Sequence, residues 1–152
     1  MDLKSILVIV VVIAVAVALL LSVCNFSSAP SARQHALDFV RHMQSDTIPD
    51  LDAYAYVDSL AASLYTGNEF DSLTASERLD RCRQDFRGQG RYRQMFVKSQ
   101  VVVNRQELLN DSTATVEVSY IDRQSRIQYY TQMLLRRVAD NWRICRLRLE
   151  PQ

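Results

Sequence analysis

The spacing of the apolar residues changes once along this chain, at the glycine-containing segment 87–91. Before that segment, apolar residues recur at intervals of three and four, the spacing that places them on one face of a helix. After it they alternate with polar residues, as in a strand that buries one face. Helices followed by strands predict an α+β fold, in which three helices pack on a curved four-stranded antiparallel sheet.

The half of the domain before this change contains three predicted helices. Apolar residues at helical spacing predict the first helix at Ala32–Gln44. A second helical stretch begins at Leu51, just after a proline, and we expect it to break near Val57. Thr74 and Glu77 have the spacing of a capping box, in which each side chain bonds the backbone amide of the other residue. A third helix is therefore predicted to begin there.

The second half contains four predicted strands. The first lies within Tyr92–Asn104, and the second is Thr113–Ile121, where apolar and polar residues alternate. Residues Ile127–Leu149 contain two apolar runs around a polar tripeptide, Ala139–Asn141, which is the pattern of a terminal hairpin. These strands predict a meander with the helices against one face.

Two registers of this hairpin are open at the level of sequence. If the whole tripeptide forms the loop, Leu135 lies opposite Cys145 and Met133 opposite Leu147, and the apolar side chains share one face. If only its last two residues form the turn, apolar and polar side chains mix on both faces. We favour the first register.

Cys82 and Cys145 are the two cysteines of the predicted domain. Cys82 belongs to the inward stripe of the third helix, and the favoured hairpin register turns Cys145 inward as well. The pair therefore has two interpretations, a disulfide in an oxidising compartment or two buried thiols.

An apolar run of eighteen uncharged residues, Ile6–Val23, lies near the start of the chain. As a helix it is about 27 Å long, close to the thickness of a bilayer core. We therefore predict a transmembrane anchor or signal sequence at 1–24, a polar linker at 25–31 and the folded domain at 32–149. The anchor is uncleaved, or the chain is a lipoprotein modified at Cys24, or the segment is a cleaved secretory signal. All three alternatives place the domain outside the cytoplasm, beside a membrane.

The charge of the chain is balanced, with 18 basic and 17 acidic residues, so no global field attracts nucleic acid. An arginine-rich run begins in the third predicted helix. Interleaved acidic residues favour a solvated, salt-bridged face, and the alternative is a surface that contacts lipid headgroups or an acidic partner. The candidates for that surface contact are Arg78, Arg81, Arg87 and Arg91.

His35 and His42 lie seven residues apart, roughly on one face of the first predicted helix, without a cysteine or carboxylate that completes a ligand set. We therefore expect surface histidines, with no metal and no cofactor. The sequence contains no phosphate-binding loop, metalloprotease helix or nucleophile elbow.

The order of these elements resembles the nuclear transport factor 2-like superfamily over about Ser31–Leu149. The local basis of the resemblance is Thr113–Tyr120 and the following hairpin, whose second strand opens with Asn141-Trp142-Arg143-Ile144. It implies a cone-shaped domain in which three helices pack into a strongly bent sheet. The residues that the resemblance places at a cone pocket are Phe39, Tyr54, Leu64, Tyr120 and Tyr129.

Anchored and lipoprotein bacterial members of this superfamily have a similar layout. The resemblance thus implies a membrane-tethered periplasmic domain of the cell envelope that binds or scaffolds without catalysis. Its partner would be a protein or a small ligand at the cone or the sheet face, with a homodimer through the sheet as a further alternative. An acid–base isomerase or dehydratase, and an assembly subunit of an envelope-spanning secretion machine, are the other functions it allows. For an enzyme, the candidate groups are Tyr54, Tyr56, Tyr65, Tyr120, Tyr129 and Asp38.

Overall fold

The structure is a computed structural model that describes residues 30–45 and 50–148. Within those residues, helices precede a four-stranded antiparallel sheet, which confirms the α+β class. The helices are α1 (Ala32–Gln44), α2 (Leu51–Tyr54), α3 (Val57–Leu64), α4 (Ala75–Asp85) and α5 (Arg91–Lys98), with a 3-10 turn at Asn68–Phe70. The strands are β1 (Ser99–Asn110), β2 (Thr113–Asp122), β3 (Gln128–Val138) and β4 (Asn141–Leu147). The predicted number of helices, three, is therefore too low.

Helix α1 has the bounds that the sequence predicts. The hydroxyl of Ser31 accepts the N–H of Gln34 at 3.1 Å and caps the first turn. The apolar stripe predicted from the spacing is the buried face, formed by Ala32, Ala36, Phe39, Val40 and Met43. This face packs α1 against the sheet and the other helices.

The second predicted helix is divided into α2 and α3, and the break falls at Ala55 and Tyr56, just before the predicted position. The N–H of Tyr56 donates to the carbonyl of Ile144 at 2.9 Å, and Ala55 forms a parallel bridge with the same residue. These two residues leave the helical conformation to pair with the edge of β4. The contact joins distant parts of the chain, so local spacing does not reveal it.

Helix α4 begins at the predicted capping box. The N–H of Thr74 donates to Oε2 of Glu77 at 2.8 Å, and the N–H of Glu77 donates to Oγ1 of Thr74 at 3.3 Å. The helix buries Cys82 and Asp85. It ends at Phe86, which belongs to the core.

The next segment corrects the sequence prediction, because Arg91–Lys98 is the helix α5 and not the start of a strand. Gly90 is its N-cap residue. A Cβ atom there would lie 2.3 Å from the carbonyl oxygen of Gln84 and 2.5 Å from that of Asp85. Only glycine therefore allows α5 to start this close to the end of α4.

The packing of α5 explains why it is a helix. Tyr92 and Phe96 are one turn apart and both are buried. The ring of Phe96 lies edge-on to Phe39, with 5.5 Å between centroids, and edge-on to Tyr120, with 5.7 Å. Helix α5 thus joins α1 to the inner face of the sheet.

The sheet is a meander in the order β1-β2-β3-β4. On β2, buried residues alternate with more exposed ones as predicted. The residues of β3 and β4 that pair with this face continue it across the sheet. The buried apolar residues of this face are Ala114, Val116, Val118, Tyr120, Met133, Leu135, Ile144 and Leu147. They form one core with the helices.

Strand β1 lies at one edge of this sheet, and its pairing with β2 shifts between Val103 and Gln106. At that irregularity the guanidinium of Arg33, from α1, donates to the carbonyls of Val103 and Asn104, both at 3.0 Å. The first helix is therefore tied to the edge strand by hydrogen bonds as well as by apolar contact.

The terminal hairpin turns at Ala139 and Asp140, because Val138 pairs with Asn141. Ala139 has a φ of 53°, the left-handed conformation that such tight turns require. Both predicted loops, Ala139–Asn141 and its last two residues, are wrong.

The register of the hairpin is partly the predicted one. Met133 lies opposite Leu147 as expected, but Leu135 lies opposite Ile144. The difference arises because Cys145 is an extra residue in β4, where the pairing shifts. Without this extra residue Arg146 would lie opposite Met133, and the bulge places the apolar Leu147 there instead.

Among the residues that the structure describes, none of the helices has the length and apolar content needed to cross a bilayer. The predicted anchor Ile6–Val23 and the predicted lipidation site Cys24 lie outside those residues.

Candidate functional site

A cavity of about 320 Å³ lies between α5 and the end of the sheet where β1 begins, β2 ends and β3 begins. Helix α5 contributes Arg91, Met95 and Lys98 to its lining, and the sheet contributes Tyr120 and Tyr129 among others. The cavity therefore exists because Arg91–Lys98 folds as a helix against the sheet.

Tyr120 is the most deeply buried tyrosine of this lining, with 3% of its surface exposed. Among the described residues, its buried hydroxyl has no hydrogen-bond partner. Burial raises the pKa of Tyr120, so the phenol keeps its proton at physiological pH and acts as a donor. A buried hydroxyl without a partner costs about 1–3 kcal/mol, which makes this group the strongest chemical signal in the cavity.

The neighbouring positions on β3 complete the inner wall. Tyr129 pairs directly with Tyr120 across the strands and is half-buried. Thr131 is the next inward residue of β3, and its hydroxyl donates to the backbone carbonyl of Arg148. This bond fixes the chain just after β4, so that Arg148 reaches the lining of the cavity.

The rim of the cavity carries more positive than negative charge, with Arg91, Lys98 and Arg148 against the single carboxylate of Asp122. Arg91 and Lys98 are the first and last residues of α5, about 10 Å apart along its axis. The guanidinium of Arg91 also lies 5.4 Å from the ring centre of Tyr92. At neutral pH the lining therefore has an excess of positive charge.

Asp122 has a structural role at this rim. Its Oδ1 accepts the backbone N–H groups of Gln124 at 2.8 Å and Ser125 at 2.7 Å, which shapes the turn between β2 and β3. These hydrogen bonds, together with the nearby positive charge of Lys98, lower the pKa of Asp122. The carboxylate is therefore ionised at neutral pH and directed into its own turn.

These groups suit binding better than proton transfer. A general acid or base works best when its pKa lies near the working pH. Here the pKa of Tyr120 is raised and that of Asp122 is lowered, so both values are moved away from neutrality. The lining combines a protonated phenol, that of Tyr120, with apolar side walls and with cations at the mouth of the cavity.

The five residues predicted for a cone pocket are separated by the fold. Tyr120 and Tyr129 line the cavity. Phe39 is completely buried in the core, with ring centroids 6.2 Å from Phe86 and 6.0 Å from Tyr54, and it is not part of the lining of this cavity. Leu64 packs at the margin of the core, and neither Leu64 nor Tyr54 belongs to this lining.

Tyr54 is instead part of a cluster with the two histidines. Nε2 of His35 lies 2.9 Å from the carbonyl oxygen of Tyr54, and Nδ1 of His42 lies 3.1 Å from its hydroxyl. Both histidines are half-buried, so the expectation of plain surface residues is wrong. Burial lowers the pKa of His35, more than its backbone hydrogen bond raises it.

Other tyrosines and the aspartate named as enzyme candidates have partners. The hydroxyl of Tyr65 donates to Oδ2 of Asp85 at 2.8 Å inside the core. The ring of Tyr56 lies under Arg143, and Asp38 accepts from Gln34 at 2.9 Å. Each of these side chains therefore has a structural contact.

The four candidate arginines lie in different surroundings. Arg78 is half-buried and donates to the carbonyl of Phe70 at 2.9 Å, and Arg81 pairs with Asp85 at 3.3 Å. Arg87 is exposed, and Arg91 is at the rim of the cavity. Two of them thus hold the fold together, and only Arg91 meets the candidate site.

Cys82 and Cys145 are free thiols in the structure, so the disulfide, one of the two interpretations of this pair, is not formed there. Cys82 is buried in the core, whereas Cys145 is half-buried at the bulge of β4. The bulge gives Cys145 a different environment from the one that the predicted register assigned to it. Burial raises the pKa of Cys82 to about 12, which makes its thiol a poor nucleophile.

Sequence reasoning missed two of the three cations of the site, Lys98 and Arg148, and its helical wall. Met95 and Lys98 were placed in a strand, and Arg148 was treated as part of the hairpin alone. The helical spacing of Tyr92, Met95 and Phe96 is the signal that could have revealed α5. Within the part of the chain that the structure describes, no three histidine, cysteine or acidic residues are grouped to hold a metal.

No protein-family model, curated protein or solved structure matches this chain. The chemistry of the cavity and the pattern of the sequence are therefore the basis for a functional assignment.

Proposed function

We propose that this chain is a membrane-tethered, extracytoplasmic domain of nuclear transport factor 2-like architecture that binds a small ligand and is not an enzyme. The ligand occupies the cavity between α5 and the sheet. The observation that carries the proposal is Tyr120, a residue of the cavity lining whose buried hydroxyl has no partner among the described residues.

The free-energy cost of burying that hydroxyl without a hydrogen bond supports the proposal of a bound ligand. A polar group that loses water on folding and gains no hydrogen bond destabilises the fold by about 1–3 kcal/mol. A ligand atom that accepts from Tyr120 recovers that energy on binding. The cavity volume of about 320 Å³ is also at the lower end of the range for small-molecule sites.

The absence of catalysis in this proposal is supported by the pKa values of two ionisable groups of the lining, Tyr120 and Asp122. The raised pKa of Tyr120 makes it a weak acid, and the lowered pKa of Asp122 makes it a weak base. The tether and the location outside the cytoplasm are proposed from Ile6–Val23, a run without charge that is long enough for a bilayer.

The test of binding uses the full-length chain in neutral phosphatidylcholine nanodiscs and a fragment library followed by ligand-detected NMR. We expect fragments that bind the parent protein to lose their signal in Met95→Trp, because the larger side chain fills the cavity that Met95 lines. The matched control is Gln84→Trp, at an exposed position of α4 outside the lining.

A second pair of variants isolates the hydroxyl. Tyr120→Phe should fold normally and bind the same fragments more weakly, by roughly tenfold for one lost hydrogen bond in a buried site. Tyr54→Phe removes a tyrosine hydroxyl away from the cavity and should bind like the parent. Fragments that bind Met95→Trp and Tyr120→Phe as tightly as the parent would show that the cavity is not the binding site.

A further inference from the structure

We propose that the ligand of this cavity is a small anionic amphiphile, with a compact apolar or aromatic body and one carboxylate or phosphate group. The inference rests on the proposed function, since it names the class of molecule that the same cavity takes. It is carried by the arrangement of the lining, in which the apolar surface and the phenol lie inside and the cations lie at the mouth.

The size of the body follows from the volume. The cavity volume of about 320 Å³ lies at the lower end of the range for small-molecule sites. We therefore expect a body of the size of a single aromatic ring with a short substituent, and not a diacyl lipid.

The apolar part of the ligand would contact Met95, Tyr120 and Tyr129. Aromatic rings and a thioether together favour a flat or unbranched body, because sulfur and ring edges make favourable contacts with an aromatic ligand. The hydroxyl of Tyr120 adds one directional donor at this inner wall. An acceptor atom on the body therefore fits the same wall.

The charged part of the ligand belongs at the rim. Lys98 and Arg148 are both exposed, so an anion that meets them there keeps part of its hydration. Transfer of the charged group into the interior would cost far more than the burial of the apolar body. The same two side chains form no salt bridge with another residue of the described ranges.

Asp122, the one carboxylate of the lining, does not reverse the preference of the rim for an anion. Oδ1 of Asp122 already accepts two backbone N–H groups of its turn, and its charge acts on Lys98. Two exposed basic side chains, Lys98 and Arg148, against one carboxylate leave the mouth positive, so a cationic ligand is disfavoured.

The experiment compares probes of matched size with the full-length chain in neutral nanodiscs, by NMR titration. The probes are phenylacetate, phenyl phosphate, neutral phenylacetamide and cationic 2-phenylethylamine. We expect the two acids to bind more tightly than the amide, and the amide more tightly than the amine. Higher salt should weaken the binding of the acids and leave that of the amide unchanged, because salt screens exposed charges.

Charge-removing variants identify the residues. Lys98→Gln and Arg148→Gln should each weaken binding of the acids by about three- to tenfold and leave that of the amide unchanged. The matched control is Arg123→Gln, which removes an exposed positive charge from the neighbouring turn outside the lining. It should leave all four affinities close to those of the parent.

The outcomes separate the two proposals. If the amide binds as tightly as both acids and neither Lys98→Gln nor Arg148→Gln has an effect, the anionic class is wrong, while the cavity remains a binding site. If none of the four probes binds, and the fragment signals also survive in Met95→Trp, the cavity itself is not the site. Whether phenylacetate or phenyl phosphate binds more tightly decides between a carboxylate and a phosphate group.

Discussion

Tyr65 and Tyr120 are both almost completely buried, with 2% and 3% of their surface exposed, but their hydroxyl groups have different surroundings. The hydroxyl of Tyr65 donates to Asp85, which also accepts from Arg81 at 3.3 Å. The hydroxyl of Tyr120 has no partner among the described residues, and Tyr120 is one of the residues that line a cavity. Burial is the main reason why the pKa of each tyrosine is raised, so neither burial nor pKa distinguishes them. The hydrogen-bond partner distinguishes them: the hydroxyl of Tyr65 has one within the fold, whereas Tyr120 is the residue that we propose a ligand contacts.

The largest expected effect is on the free energy of unfolding, and it tests the burial that the two tyrosine rings share. Tyr65→Ala and Tyr120→Ala each remove a ring from the core and should lower the free energy of unfolding by about 3–5 kcal/mol, as removal of other large core side chains does. Urea unfolding of the full-length chain followed by Trp142 fluorescence measures both. A loss below about 1 kcal/mol for Tyr120→Ala would show that its ring is not part of the core, and the comparison would then fail.

The next effect tests how they differ. Tyr65→Phe leaves the buried carboxylate of Asp85 without its tyrosine donor and should cost about 1.5–3 kcal/mol, the range for a hydrogen bond to a charged group. Tyr120→Phe removes a hydroxyl that has no partner, so its free energy of unfolding should not be lower than that of the parent. The same urea titration compares them, and equal losses in the two variants would contradict the distinction.

Gly90 lies between the surroundings of Tyr65 and those of Tyr120. It is close to the backbone of Asp85, the partner of Tyr65, and it begins the helix that faces Tyr120. Gly90→Ala forces a Cβ atom to within 2.3 Å of the carbonyl of Gln84. We expect a loss of about 1–3 kcal/mol from this overpacking and weaker binding of the probes, because α5 must shift. Gly88→Ala is a useful comparison, since a Cβ there has nothing within 4 Å and is strained only by its φ of 51°. Normal binding by a destabilised Gly90→Ala would show that the cavity does not depend on this close approach.

The smallest effect concerns Tyr54, whose carbonyl meets His35 at 2.9 Å. Burial lowers the pKa of His35 below its ordinary value of 6.5. Below pH 6.5 the unfolded chain therefore binds more protons at this residue than the folded chain does, so the free energy of unfolding falls as the pH falls. The loss is complete once the pH has passed below the pKa of the folded state.

The measurement is urea unfolding between pH 7.5 and pH 5, with His35→Gln as the reference. The difference in slope between the parent and this variant reports the contribution of His35, since other titrating groups are common to both. Parallel curves would show that His35 titrates alike in the folded and unfolded chains.

The parts of the fold that could be predicted depend on short-range chemistry. The stripe of α1, the capping box of Thr74 and Glu77, and the alternation of β2 are each set within a few residues, and the structure has them where the sequence places them. The pairing of Met133 with Leu147 follows from the same alternation.

The parts that could not be predicted depend on distant partners. Tyr56 leaves its helix because the carbonyl of Ile144 accepts its N–H, and Phe96 belongs to a helix because Phe39 and Tyr120 surround it. For the candidate site, the sequence named Tyr120 and Tyr129 but not Lys98 and Arg148, because these two come together with the tyrosines only in three dimensions.

The pairing of Tyr56 with β4 has a consequence for the behaviour of the chain at high concentration. Open strand edges recruit strands from other molecules and so start aggregation. At one edge of this sheet, Tyr56 already uses the carbonyl of Ile144. At the other edge, Arg33 uses the carbonyls of Val103 and Asn104. A four-stranded sheet that is open by topology is thereby blocked at one point on each edge by its own helical half.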